Sequence, residues 1–167
     1  MRKGLGSMTV GEMLRGRATA TPNRVAIDFL DRPTTYRELD TRSERLAAAL
    51  LRAGLRQGDR VATITGTCPE HVEIFFACAK AGLILVPLNW RLAPAELAYQ
   101  LRDSDAGILF VQPAYESLAD EVAKQTSVTP LRVTLEAGAL AGFVEGAGDA
   151  RSVSVADDDP LLIIYTA

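Results

Sequence analysis

The sequence predicts an α/β fold, a mostly parallel sheet flanked by helices. Three observations carry that expectation. Apolar, β-branched runs at residues 61–65, 83–88, 108–111 and 131–135 alternate with segments of helical spacing. The run at 83–88, Leu83-Ile84-Leu85-Val86-Pro87-Leu88, shows no polar alternation, which suits a strand buried on both faces. The intervening helices carry start and stop signals, such as Pro69 at a first helical position and Gly82 just past a last one. Strand–helix–strand repetition of this kind closes by right-handed crossovers into a parallel sheet.

Each element follows in order. Residues 9–20 place Val10, Met13 and Leu14 at helical spacing and stop at Thr21-Pro22. A short strand at 25–29 is followed by Asp31-Arg32-Pro33, read as its turn. Thr35 and Glu38 form the T-x-x-E signature of a helix start, and Leu39, Ser43, Leu46, Ala47 and Leu50 make one stripe before Gly54. Gly58-Asp59 turns into the strand at 61–65. The helix from Pro69 leads through Gly82 to the strand at 83–88, and Pro94 opens a helix carrying Leu97 and Leu101. The strand at 108–111, a helix at 115–124 and the strand at 131–135 complete a core over residues 1–135. Residues 136–157, rich in Gly and Ala, read as a loop or linker. Residues 158–167 read as the start of another strand. That last run, Leu161-Leu162-Ile163-Ile164-Tyr165-Thr166-Ala167, ends without turn residues or a polar tail. The expectation is a chain cut inside a strand, with an exposed apolar edge that favours a homodimer.

Composition narrows the function. The 167 residues are 48% hydrophobic and 23% charged, which suits a single folded unit, with a net charge of −3. That charge argues against nucleic acid as a partner. The most apolar stretch, 72–90, is interrupted by Glu73, Lys80 and Pro87, so no transmembrane segment is expected. Met1-Arg2-Lys3 is followed by Gly4-Leu5-Gly6-Ser7, with no apolar stretch of a signal peptide. Cys68 and Cys78 lack partners at metal-ligand spacing and read as free thiols in the cytoplasm.

Self-contained catalytic motifs are absent. There is no G-x-x-x-x-G-K-[ST] and no G-x-S-x-G. The one histidine, His71, reads either as a lone general base or as an ordinary helix-start residue. Gly66-Thr67-Cys68-Pro69 joins a strand to a helix, where phosphates can meet helix N–H groups, although most such turns bind nothing. Asp157-Asp158-Asp159 offers hard oxygen ligands for Mg²⁺ or a solvated entry to a strand.

The chain nonetheless resembles a known family. Thr35-Tyr36-Arg37-Glu38-Leu39, then Leu46-Ala47-Ala48-Ala49-Leu50, then Gly58-Asp59-Arg60-Val61-Ala62 is similar to the opening of adenylate-forming enzymes, and in particular of the acyl-CoA synthetases. The stretch from Ala79 to Leu97, with Gly82, Pro87, Asn89, Arg91 and Glu96, is similar to that family's second core motif. Asp158-Asp159-Pro160 through Tyr165-Thr166 resembles the lead into its phosphate loop. The resemblance implies that the chain is part of the large N-terminal AMP-binding domain of a ligase. Such an enzyme activates a carboxylic acid with ATP and Mg²⁺ to an acyl-adenylate and passes the acyl group to coenzyme A. Carried over residue by residue, Thr166 matches the first position of the ATP phosphate loop, and Ala167 stands where serine is common. Arg91 matches a position that in some acyl-CoA ligases contacts the coenzyme A phosphates, while a loop arginine can equally cap a neighbouring carboxylate. Gly82, Pro87 and Glu96 read as structural. The rest of the phosphate loop, the Mg²⁺-binding glutamate, the adenine and acyl pockets and a mobile lysine-bearing domain would all follow Ala167. No catalytic residue and no metal ligand is therefore assigned within the chain, and the segment alone is expected to be inactive.

Three alternatives stay open. The chain can be a non-catalytic α/β binding module or pseudo-enzyme, an adenylation enzyme with another acyl acceptor, or a nucleotide-binding domain that uses the Gly66 turn.

Overall fold

The computed structural model describes residues 8–136, 139–145 and 153–166. The first helix, α1 (Val10–Ala20), starts in a reciprocal cap: the Thr9 side chain accepts from the Glu12 amide, and the Glu12 carboxylate accepts from the Thr9 amide at 2.8 Å. Leu14 is buried as its spacing predicts, whereas Met13 points to solvent.

Strands β1 (Val25–Phe29) and β2 (Arg32–Thr35) form an antiparallel hairpin. This corrects the sequence reading of 31–33 as the turn. The turn is Leu30-Asp31, with φ of 51° and 58°, and Arg32 and Pro33 already belong to β2. Two successive left-handed residues match the twist of the flanking strands, which outweighs the turn preference of proline. A proline is tolerated here because a two-stranded ribbon has open edges. Helix α2 (Tyr36–Arg52) then begins at the predicted Thr35–Glu38 cap and buries the predicted stripe.

The core alternates as expected: β3 (Arg60–Ile64), α3 (Pro69–Ala81), β4 (Ile84–Leu88), α4 (Pro94–Ser104), β5 (Ile108–Val111), α5 (Glu116–Ala123) and β6 (Leu131–Thr134). A turn of 3-10 helix, Pro113–Tyr115, precedes α5. The four strands are parallel in the order β4-β3-β5-β6, with Val61 opposite both Leu85 and Ile108. Successive residues of each strand feed two separate cores. Val61, Leu85 and Phe110 pack with Leu46 and Leu50 of α2 and Ile74 of α3. Ile64, Val86 and Leu109 pack with Leu97 and Leu101 of α4 and Val122 of α5. Both faces are covered, which is why the strands read as unbroken apolar runs. Gly82 closes α3 in the left-handed conformation, φ 65°.

The stretch read as a loop over 136–157 holds a short helix, α6 (Ala139–Val144). Its Leu140, Phe143 and Val144 pack against the first core, with the Phe143 ring 5.9 Å from that of Phe110. That i, i+3, i+4 spacing was present in the sequence beneath the glycines and alanines.

One buried cation ties three helices together. Lys80, with only 3% of its side chain exposed, donates from Nζ to Asp40 Oδ1 at 2.7 Å and lies 3.2 Å from Glu44 Oε2. Arg15 of α1 reaches the same Glu44 oxygen at 3.0 Å. Helix α1 approaches so closely that a Cβ on Gly11 would lie 3.0 Å from Lys80 Cγ. Among the described residues no helix is long and apolar enough to cross a membrane.

Candidate functional site

The last described residues extend the sheet beyond β4. Leu85 donates its amide to the Leu161 carbonyl at 2.8 Å and accepts from the Ile163 amide at 3.0 Å. The next rung of a parallel ladder would need residue 87 to donate to the Ile163 carbonyl. That residue is Pro87, which has no N–H, so the pairing stops there. A side chain then takes over. The Tyr165 hydroxyl donates to Asp103 Oδ2 of α4 at 2.7 Å and reaches the Gln100 carbonyl at 3.3 Å. Burial, together with the hydrogen bond to the Asp103 carboxylate, pushes the Tyr165 pKa up to about 12, so the phenol stays protonated at neutral pH.

This handover sets Thr166 on the rim of a groove of about 500 Å³ lined by Pro87, Asn89, Leu92, Glu96, Tyr99 and Tyr165. Leu162 and Ile164 face solvent alongside it. Ala167 lies outside the described residues. Glu96 has a local task, accepting from the Ala93 amide at 2.8 Å at the start of α4, as the structural reading of it expected.

Arg91 follows β4 in the loop Asn89-Trp90-Arg91. Asn89 Oδ1 accepts from the Arg91 amide at 3.1 Å and the Asn89 carbonyl accepts from the Leu92 amide at 3.0 Å, which folds the loop into a turn. The guanidinium carbon lies 4.1 Å from the centre of the Trp90 ring. Trp90 in turn stacks on Tyr115, with centroids 5.2 Å apart and planes 20° from parallel. Among the described residues no carboxylate pairs with Arg91, so the carboxylate-capping alternative does not describe it. The structure places Thr166 and Asn89 on one groove, while Arg91 sits at the edge of the same loop and does not line that groove.

The remaining sequence candidates fall elsewhere. The Gly66 amide donates to Gln112 Oε1 at 2.9 Å, and a Cβ on Gly66 would lie 3.0 Å from the Tyr115 hydroxyl. That turn is closed by the protein's own side chains. His71 Nδ1 lies 2.9 Å from Thr65 Oγ1, and burial lowers its pKa, so the ring is neutral at pH 7. Burial pushes the Cys68 thiol up to about 11 and raises that of Cys78 as well, so neither is a thiolate at neutral pH. Asp159 Oδ2 accepts from the Ala156 amide and from Gln57 Nε2, each at 2.8 Å, while Asp157 and Asp158 are exposed. Among the described residues no cluster of three His, Cys, Asp or Glu could hold a metal ion. No such donor set for Mg²⁺ is present among them.

The sequence reading gives no task to Tyr165, Trp90, Tyr115 or Asp103. Asp103 and Tyr165 signal nothing locally, since their pairing exists only once α4 and the last segment are neighbours. Trp90 beside Arg91 did carry a signal, because an aromatic next to an arginine is a ready cation–π pair.

Comparison with known proteins bears on the family and the fold. The model of the AMP-binding enzyme family matches residues 14–167. A feruloyl-CoA synthase of Amycolatopsis is 38% identical over 166 residues, which is 99% of this chain and 31% of that protein. An indoleacetate–CoA ligase of Aromatoleum aromaticum is 35% identical over 96% of this chain and 32% of its own length. A fatty acyl CoA synthetase structure from Mycobacterium tuberculosis superposes with a TM-score of 0.85 at 31% identity, covering 95% of this chain and 32% of that one. The chain therefore spans about a third of the length of these relatives. By its match over residues 14–167, the chain belongs to the AMP-binding enzyme family.

Proposed function

We propose that this chain is the N-terminal part of an acid–thiol ligase. In the first half-reaction a carboxylate oxygen attacks the α-phosphorus of ATP, and pyrophosphate leaves. In the second, the sulfur of coenzyme A attacks the acyl carbon of the adenylate, and AMP leaves. AMP is a far better leaving group than the carboxylate oxygen, which is the gain from using ATP. The observation that carries the reading is the placement of Thr166. Pro87 frees the chain from the sheet and Tyr165 fastens it to α4, so a hydroxyl and a backbone amide stand at the mouth of a groove, as a phosphate loop requires. Thr166 and Ala167 would begin that loop, and Arg91 would meet the coenzyme A phosphates. The partition into a core over 1–135, a connecting stretch over 136–157 and the loop entry over 158–167 belongs to this reading, as does action in the cytoplasm.

The test compares two polypeptides. The 167-residue chain, given a carboxylic acid, ATP, Mg²⁺ and coenzyme A, should form no thioester above a blank. A polypeptide continued past Ala167 to the relatives' length should release pyrophosphate and form acyl-CoA. Ferulate and indoleacetate are the first acids to assay, because relatives bear those names, with a long-chain fatty acid as comparison. Turnover by the short chain would overturn its inactivity, and a silent long chain would overturn the ligase reading.

A further inference from the structure

The Arg91–Trp90–Tyr115 stack joins three loops at one end of the sheet. Trp90 and Arg91 follow β4, Tyr115 follows β5, and the Tyr115 hydroxyl abuts Gly66, which follows β3. These are the carboxyl ends of the strands. They are also the place where the chain, having gone from β3 to β4 on one side, returns to β5 on the other. Parallel sheets take their ligands at such reversals. The chemistry presented there is specific. Stacking uses the flat face of a guanidinium and leaves its in-plane N–H donors free. Arg91 is exposed, lies 4.1 Å from the Trp90 ring centre, and has no carboxylate partner among the described residues. Its backbone is fixed by Asn89, and its side chain by a ring whose tilt Tyr115 sets. An uncommitted fork of donors with a restrained plane fits a phosphate monoester, which accepts two parallel hydrogen bonds.

We propose that Tyr115, acting through Trp90, is a positioning residue that holds the Arg91 guanidinium edge-on toward a phosphate of the thiol acceptor. This rests on the ligase reading, which supplies coenzyme A as that acceptor. The new element is Tyr115. It contacts no substrate, and its effect passes through the indole.

Trp90 is the chain's one tryptophan, so fluorescence excited at the red edge, where tyrosine does not absorb, reports this corner alone. The experiment uses the 167-residue chain and the variants Arg91→Ala, Tyr115→Leu and Tyr115→Phe, with circular dichroism to confirm that each is folded. Without ligand, the Arg91 Nε–H proton should resonate upfield through the ring current of Trp90. The shift should collapse in Tyr115→Leu and persist in Tyr115→Phe, which keeps the ring. With ligand, coenzyme A should change Trp90 fluorescence saturably at fixed ionic strength, and dephospho-coenzyme A should do so more weakly. Arg91→Ala should abolish the coenzyme A response. Tyr115→Leu should weaken it about 2- to 10-fold, the worth of one aromatic stack, and Tyr115→Phe should restore it. If Tyr115→Leu does not fold, Gly66→Ala is the second route to the same test. Its Cβ would sit 3.0 Å from the Tyr115 hydroxyl and displace the ring, and adding Tyr115→Phe should relieve the crowding.

An unchanged Arg91 resonance in Tyr115→Leu or Gly66→Ala overturns the proposal, as does an unchanged coenzyme A response. A wild-type chain that gives no saturable response also overturns it. In each case pyrophosphate release by the longer polypeptide judges the ligase reading separately.

Discussion

Lys80 and Arg91 are cations that flank strand β4, one before it and one after it, yet the protein treats them in opposite ways. Lys80 is covered by α1, and its charge is spent on Asp40 and Glu44. Arg91 is open to solvent, has no acid beside it among the described residues, and rests on an indole. A point charge with a flexible stem suits the first place, and a planar fork suits the second. The contrast separates a cation that holds helices together from one left with donors to offer. It also shows that charge alone, as read in a sequence, does not distinguish the two.

The strongest way to break this contrast is to strip Lys80 of its partners. Asp40→Ala combined with Glu44→Ala leaves a buried ammonium with no carboxylate, only the Asp40 carbonyl that accepts from Nζ at 2.7 Å, which should cost about 3–5 kcal/mol in urea unfolding. Adding Lys80→Met to that pair should recover much of the loss, since the uncompensated charge is then gone. No recovery would mean that helix packing, and not charge, is what the network secures.

The second effect is a pH dependence. Burial alone would raise the Glu44 pKa, but the hydrogen bonds and charges of Lys80 and Arg15 outweigh it and hold the carboxyl below its ordinary value. A carboxyl with a depressed folded pKa stabilises above its unfolded value of about 4.3, and that contribution is lost as pH falls through the folded value. Glu73 runs the other way. Burial raises its pKa despite Arg42, so its contribution is present below the unfolded value and fades as pH rises through the folded one. The thermal midpoint should therefore drop below about pH 4, and Glu44→Gln should flatten that drop while leaving the Glu73 slope above it.

Tyr165 is intermediate in exposure, part-buried and tied to an exposed acid. Tyr165→Phe should open the last segment by about 1 kcal/mol, read as faster hydrogen exchange at the Ile163 amide, with the global midpoint nearly unchanged. Arg91→Ala should show the smallest effect on stability, within about 0.5 kcal/mol, because nothing in the fold leans on it. A larger loss would place Arg91 with Lys80 as a structural cation.

Much of the fold was legible because its signals are local. The Thr35–Glu38 cap, Pro69 at the start of α3, and Gly82 at its end act within one helical turn. The two-sided burial of β3, β4 and β5 showed as unbroken apolar runs. The hairpin turn was missed because Leu30 adopts a positive φ that its side chain disfavours, while Pro33 advertised a turn it does not make. The site was legible only in part, through Thr166 and Arg91 and their resemblance. Trp90–Tyr115 joins residues brought together by the order β4-β3-β5-β6, and Tyr165–Asp103 by the bonding of the last segment to β4, and no local pattern encodes either.

Pro87 has a consequence for alignment between strands. Parallel strands of similar apolar residues can slide past one another by two positions, trading each hydrogen bond for an equivalent one. The missing hydrogen of Pro87 marks where along β4 such pairing stops, whatever the register. With Leu85 bonded to Leu161 and Ile163, that mark releases the chain after Ile163, and so sets the distance from the sheet to Thr166.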